Sequence, residues 1–183
     1  KRTRNDYPKE NILITPGSKE AMLLIHIAFN GEIIIPAPGW VSYEPQAEIG
    51  SNRVHWLETS RSNNWFPTGK ELEKKIKLIG KNKNLILIIN SPNNPSGAVC
   101  KNLEELAKVA KKYKILVLSD EIYTDLTFSS EYNSISKFYP EFTFITGGLS
   151  KWCGAGGWRL GFLAVPKKLT EFLKSLKSLA SES

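Results

Sequence analysis

The chain has 183 residues, 41% of them hydrophobic and 10% aromatic, which is the composition of a folded domain and excludes a disordered chain. Its net charge of +7 invites a nucleic-acid interpretation, but the lysines are spread over amphipathic segments without an arginine or aromatic stripe. The two cysteines and two histidines show no metal-ligand spacing, and no apolar run has the length of a membrane span. We therefore expect one globular domain in the reducing cytoplasm, without a metal, nucleic-acid or membrane partner.

The apolar patterns predict strands and helices that alternate along the chain. Strands are predicted at 11–15, 33–35, 51–57, 85–89, 115–118, 142–146 and 158–165. Helices are predicted from residue 18 to about residue 30, after Thr68, after Asn102 and at 169–180. Thr68 is expected to form a capping box with Glu71, and Asn102 is expected to cap its helix together with Glu105. The runs at 85–89 and 115–118 are continuously apolar, which is typical of strands covered on both faces.

Seven strands between helices predict an α/β fold, a three-layer sandwich around a mostly parallel seven-stranded sheet. The strand at 51–57 is expected at an edge. Too few residues separate 142–146 from 158–165 for a helical crossover, so the last strand is expected to run antiparallel.

Residues of unusual chemistry follow the predicted strands at their carboxyl ends, where α/β sheets bind ligands. These residues are Gly17, Ser18, Lys19, Trp40, Asn94, Asp120, Tyr123 and Lys151. Arg159 opens the last strand, and an antiparallel course brings it to the same edge. We therefore expect these side chains to converge on one rim of the sheet.

The types of these residues match parts of one ligand, although each also has a plainer interpretation. A helix that begins Gly17-Ser18-Lys19 suits a phosphate, with Arg159 as a bidentate partner; a simple helix entry and a surface ion pair are the alternatives. Trp40 can stack on a flat heterocycle or belong to the core.

The remaining four positions supply polar groups and an amine. Asp120 is a carboxylate that needs a cation if buried, although such residues also cap loops or bind metals. Asn94 and Tyr123 can bind a ring oxygen or make loop hydrogen bonds. Lys151, in a segment rich in glycine, is either a nucleophilic amine or a surface lysine. Phosphate, ring, ring cation and lysine amine together describe pyridoxal 5'-phosphate.

The chain resembles the fold-type I aminotransferases of class I/II, the relatives of aspartate and tyrosine aminotransferase. The matching segments lie in the family's order over nearly the whole chain: ITPGSKEAM, PAPGWVSYEP, NSPNNPSGAV, LSDEIYTDLTF and GGLSKWCGAGGWRLGF. The last segment is the most specific, because its lysine and its arginine lie eight residues apart, directly before Leu-Gly.

The resemblance implies a role for each residue and a pyridoxal-phosphate-dependent transfer of an amino group between an amino acid and a 2-oxo acid. Lys151 would hold the cofactor as an aldimine and carry the proton, and Asp120 would keep the pyridine nitrogen protonated. Asn94 and Tyr123 would bind the ring oxygen and Trp40 would stack on the ring. The phosphate would be held by Gly17, Ser18, Lys19 and Arg159. It also implies a homodimer.

Two departures from the family pattern accompany the resemblance. Gly148 stands where many relatives have a phosphate-binding serine. Family members are also longer, with an N-terminal segment and a C-terminal small domain, so residues 1–183 are expected to be the cofactor-binding large domain. We expect this piece alone to be inactive, to expose an apolar face and to associate.

Three other functions remain open from the sequence. A lyase or synthase of the same fold would use the same cofactor, although the Gly-Trp-Arg-Leu-Gly run after the lysine favours a transferase. An aminotransferase-like sensor domain of a transcription regulator would bind the cofactor without turnover, and a winged-helix region upstream would identify it. A truncated, catalytically dead domain is the third.

Overall fold

A computed structural model of the chain describes residues 7–127 and 132–181. Within these ranges seven strands form one sheet: β1 Ile12–Thr15, β2 Glu32–Ala37, β3 Arg53–Glu58, β4 Leu85–Asn90, β5 Leu116–Asp120, β6 Thr143–Gly148 and β7 Gly161–Ala164. The helices are α1 Ser18–Ala28, α2 Tyr43–Ile49, α3 Gly69–Ile79, α4 Leu103–Tyr113 and α5 Thr170–Ser181. No helix of the described ranges is both long enough and apolar enough to cross a bilayer.

The strand order in the sheet is β1-β7-β6-β5-β4-β2-β3. Strands β2 to β6 pair in parallel, whereas β7 runs antiparallel to both of its neighbours, β1 and β6. The predicted α/β fold is confirmed, including the antiparallel last strand and the edge position of β3. Since β1 has the same direction as β6, all strands except β7 end at one edge of the sheet, and β7 begins there.

The helices cover the two faces of the sheet and produce the predicted three layers. Helices α1, α2 and α5 pack on one face, and α3 and α4 pack on the other. Strand β4 shows why its sequence has no polar alternation: Ile86 and Ile88 enter the first core, while Leu87 and Ile89 enter the second. A strand buried on both faces needs an apolar side chain at every position.

Two predicted helix starts are confirmed in position, but only one of them has the predicted cap hydrogen bond. At α3, the Thr68 hydroxyl accepts from the Glu71 amide at 3.2 Å, and Glu71 accepts from the Thr68 amide at 2.7 Å, which is the predicted capping box. At α4, Asn102 makes no cap hydrogen bond. Its amide donates instead to the Pro67 carbonyl at 2.9 Å and to Glu105 at 3.2 Å, so a long-range contact replaces the local cap.

Two further features differ from the sequence-based expectation. Helix α2 was not predicted; it is only seven residues long and has Pro45 in its first turn, a position that tolerates proline. The last strand begins at Gly161 and not at residue 158, because residues 156–158 form a 3-10 turn. Arg159 closes that turn in the left-handed region, with φ at 48°, and therefore precedes the strand.

His26 is buried inside α1, fully shielded from solvent. Neither of its ring nitrogens has a hydrogen-bond partner among the described residues. Burial lowers the pKa of His26 from 6.5 to about 4. The polar side chain of Asn52 raises this pKa, but by less than burial lowers it. The folded state therefore holds this histidine neutral at a pH where the unfolded chain protonates it.

We expect the free energy of unfolding to fall as the pH drops from 6.5 towards 4, because His26 binds a proton in the unfolded state and stays neutral in the folded state. This contribution is fully present above pH 6.5, and its loss amounts to roughly 3 kcal/mol. Urea denaturation across this pH range should show a flatter pH dependence for His26→Leu than for the wild type. Met22→Leu, a buried apolar change in the same helix that alters no titratable group, is the control and should keep the slope. Equal slopes for His26→Leu and the wild type would contradict this assignment.

Candidate active site

The structure brings the predicted site residues to one rim of the sheet. Gly17, Trp40, Asn94 and Lys151 follow the carboxyl ends of β1, β2, β4 and β6, and Asp120 is the last residue of β5. Arg159 and the first residue of the antiparallel β7 lie at the same edge. The expected convergence follows from the strand directions alone, since parallel strands end on the same side.

Asp120 is a carboxylate buried at this rim, with 3% of its surface exposed. Its Oδ2 accepts from the hydroxyl of Tyr43 at 2.7 Å, and its Oδ1 accepts from the backbone N–H of Ile122 at 3.2 Å. Burial raises the pKa of Asp120 from 3.8 to about 6, and the two hydrogen bonds oppose this rise. None of the described lysine, arginine or histidine side chains pairs with it. A cationic ligand would complete its surroundings.

Tyr43 is a site residue that the sequence reasoning missed. It begins α2 with 1% of its surface exposed, and its ring meets that of Trp40 edge to face, with 5.4 Å between the centroids. Burial and the neighbouring Asp120 raise the pKa of Tyr43 well above its usual value, so the phenol remains a hydrogen-bond donor. The sequence carried one signal for this role, because Tyr43 is an aromatic residue about one helical turn after Trp40.

A continuous chain of contacts leads from Asp120 towards the lysine. Asn90, at the end of β4, donates to the backbone carbonyl of Asp120 at 3.0 Å and accepts from the backbone N–H of Asn94 at 2.7 Å. The Asn94 amide in turn donates to the hydroxyl of Tyr123 at 3.3 Å. The exposed Lys151 places its Nζ 5.8 Å from the Tyr123 ring centroid. Asn90 thus fixes two neighbouring strand ends around one polar cluster, and it too escaped the sequence reasoning.

A second cluster surrounds the start of α1. Gly17 precedes the helix with φ at 93° and has no side chain with which to cap it, which leaves the first N–H groups near Ser18 and Lys19 without a cap from this residue. The guanidinium of Arg159 lies beside Gly17 and donates to the Pro16 carbonyl at 3.1 Å. An uncapped helix N-terminus and an arginine together form a favourable anion site.

Lys19 connects the two clusters. Its Nζ lies 5.5 Å from the ring centroid of Trp40, whose edge contacts Tyr43. The rim therefore offers an anion site at one end, an aromatic face and a buried carboxylate in the middle, and an exposed amine on the loop after β6. This arrangement can hold a ligand that has an anionic group, a flat ring and a cationic ring atom.

Residues 2–182 match the family model described as aminotransferase class I and II. The chain belongs to this family. It is 34% identical to an aspartate aminotransferase of Thermotoga maritima, over 97% of this chain and 48% of that protein. It is 37% identical to the aromatic-amino-acid aminotransferase 2 of Thermococcus litoralis, over 90% of this chain and 43% of that protein.

Solved structures agree with this assignment. The structure of aspartate aminotransferase from Thermus thermophilus with maleate superimposes with a TM-score of 0.87 at 32% identity, covering 95% of this chain and 45% of that one. This class I and II aminotransferase chain thus spans about half the length of the relatives that it matches.

An apolar groove lies next to the site of this aminotransferase chain, along β1, β7 and the loop after β6. Its volume is about 560 Å³, and its lining includes Ile14, Trp152, Leu160 and Phe162. Ile14 is 63% exposed, and the nearby Trp158 is 75% exposed. The expected exposed apolar face is therefore present, whereas association of the fragment through such a face stays a prediction.

We expect Tyr43→Phe to raise the pKa of Asp120 further, because the phenol hydrogen bond stabilises the ionised carboxylate. Carboxyl carbon NMR of the protein without added ligand measures this pKa directly. At pH values near 6, a larger fraction of Asp120 would then be protonated, so binding of a cationic ring would weaken on the acidic side.

Tyr113→Phe is the matched control, since the Tyr113 hydroxyl donates to Glu73 on α3, away from the rim. That variant should leave the titration of Asp120 unchanged. If Tyr43→Phe left the pKa of Asp120 unchanged or lowered it, the tuning role of Tyr43 would be wrong.

Proposed function

We propose that this chain is the cofactor-binding large domain of a pyridoxal-phosphate-dependent aminotransferase, which transfers an amino group between an amino acid and a 2-oxo acid. The observation that carries the proposal is the buried carboxylate of Asp120, which lacks a cationic partner among the described side chains and is linked by contacts to Lys151. Membership in the aminotransferase family and the names of its relatives support it.

The residues present fit the parts of pyridoxal phosphate. Gly17, Ser18, Lys19 and Arg159 would hold the phosphate at the uncapped start of α1. Trp40 would stack on the ring, as its partly exposed side chain allows. The hydrogen-bonded pair of Asn94 and Tyr123 would bind the ring oxygen, and Asp120 would face the ring nitrogen.

When bound, the cofactor supplies an electron sink that stabilises negative charge at the substrate Cα. Asp120, ionised and hydrogen-bonded by Tyr43, would keep a proton on the ring nitrogen and so maintain that capacity. Lys151 would bind the cofactor through its Nζ and afterwards, as a free amine, move a proton to and from the substrate. Tyr123, beside Lys151, would help to orient this amine.

The substrates, the assembly and the compartment belong to the same proposal. The relatives are named for aspartate, aromatic amino acids and prephenate, and we propose the broader class of amino acids and 2-oxo acids for this chain. We propose a homodimer for the full-length protein and a cytoplasmic location. Two free cysteines support the location, since unpaired thiols are typical of a reducing compartment.

We expect Lys151→Ala to lose amino-group transfer by orders of magnitude, because the proposal assigns both the covalent bond to the cofactor and the movement of the substrate proton to the Lys151 amine. The assay uses full-length protein, pyridoxal phosphate, 2-oxoglutarate and a panel of amino acids, and measures the newly formed amino acid. Borohydride reduction followed by peptide mapping should find the cofactor on residue 151 of the wild type.

Lys167→Ala, which changes an exposed lysine at the start of the last helical segment, is the matched control and should retain both properties. Recovery of the reduced cofactor on a different lysine would refute the assignment of Lys151. Absence of transfer from every amino acid by a wild-type protein that binds the cofactor would refute the transaminase activity.

A further inference from the structure

Three backbone segments meet at the start of β7: the Gly17–Ser18 turn, the residues around Gly161, and Gly148 at the end of β6. Gly161 pairs with Thr15 of β1 on one side and with Gly148 of β6 on the other. We propose that Gly161 is a positioning residue whose missing side chain lets the Gly17–Ser18 turn and Arg159 form one phosphate site. This inference rests on the proposed function and adds to it a residue that makes no direct contact with the cofactor.

The space next to Gly161 is filled by backbone. A Cβ atom at this position would lie 2.5 Å from the Ser18 nitrogen and 2.7 Å from the Gly17 Cα, and it would also overlap the Gly17 carbonyl carbon. Separations under 3.0 Å essentially do not occur for real Cβ atoms. Since the obstructing atoms belong to the main chain, no change of rotamer could relieve the overlap, and the turn itself would have to move.

Strand β7 is held by its pairing with β1 and β6 on its two sides. A Cβ at Gly148 would lie 2.8 Å from the Leu160 carbonyl oxygen and 3.0 Å from the Gly161 Cα, so β6 and β7 already approach closely there. In this structure the crowding leaves no room for a side chain at position 148. Many members of the family that the sequence resembles have a serine there. Gly161 is thus enclosed between β6 and the turn.

The turn displaced by a side chain at residue 161 is the same turn that contacts the arginine. A Cβ on Gly17 would lie 2.6 Å from Nη2 of Arg159, which shows how closely the guanidinium lies over this glycine. Arg159 also holds the Pro16 carbonyl. Moving the Gly17–Ser18 turn would therefore separate the Ser18 N–H from the guanidinium, the two groups that the proposed function assigns to the phosphate.

The test compares ligands with and without the phosphate. Pyridoxal phosphate and pyridoxal are titrated into full-length wild type and Gly161→Ala, and the dissociation constants are obtained from equilibrium absorbance. We expect Gly161→Ala to weaken pyridoxal phosphate at least about tenfold, the loss of one hydrogen bond to a charged group. Pyridoxal, which lacks the phosphate, should change by less than about twofold.

Two other glycines provide controls. A Cβ at the exposed Gly157 meets nothing within 4 Å, so Gly157→Ala should bind both ligands like the wild type. A Cβ at Gly147 would meet the ring of Phe162 at 2.9 Å, which strains the same pair of strands away from the turn. Gly147→Ala crowds a side chain and not the turn, so the ratio of the two dissociation constants should stay unchanged.

The outcomes separate this inference from the proposed function. A wild type that does not bind pyridoxal phosphate overturns the proposed function, and the role of Gly161 with it. A wild type that binds it, together with a Gly161→Ala variant that keeps the same preference for the phosphorylated ligand, overturns only the role of Gly161. If Gly161→Ala does not fold, amide hydrogen exchange of the wild type decides: pyridoxal phosphate should protect the Ser18 N–H more than pyridoxal does, and equal protection by the two ligands contradicts the inference.

Discussion

The burial of the Asp120 carboxylate is the constraint on which the site depends. Transfer of an ionised group out of water costs several kcal/mol, which hydrogen bonds alone offset only in part. Helix α2 supplies the Tyr43 hydroxyl, the backbone after β5 supplies the Ile122 N–H, and β4 supplies Asn90 to the carbonyl of the same aspartate. Three elements are thereby fixed around a negative charge whose cationic partner is absent from the described side chains. The missing cationic partner is the physical basis for proposing that a cationic ring binds at this position.

The main features of the fold could be predicted because they depend on local patterns. The continuous apolar run at 85–89 has no polar face, since both of its faces enter a core. The Thr68–Glu71 box is complete within one turn of helix. The lengths of the connections predicted the directions of the strands. These directions place residues that follow parallel strands, such as Asn94 and Lys151, at the same edge of the sheet.

The features that escaped prediction depend on contacts between distant parts of the chain. Tyr43 is fixed by a carboxylate far along the sequence, in a helix too short to have a clear apolar period. Asn102 lies at the N-cap position but makes no cap hydrogen bond, and its side-chain amide donates to the distant Pro67 carbonyl instead. The left-handed conformation of Arg159 depends on the glycine-rich turn before it, whereas the pattern from 158 onwards indicated a strand.

The central claim, that Asp120 pairs with a protonated pyridine nitrogen, can be tested on the cofactor itself. Pyridoxal phosphate carrying ¹⁵N in its ring would be bound to the full-length protein, and the nitrogen chemical shift would be followed over pH. We expect the shift of a protonated ring nitrogen at neutral pH in the wild type and its loss in Asp120→Ala. An unprotonated ring nitrogen in the wild type at neutral pH would contradict the pairing.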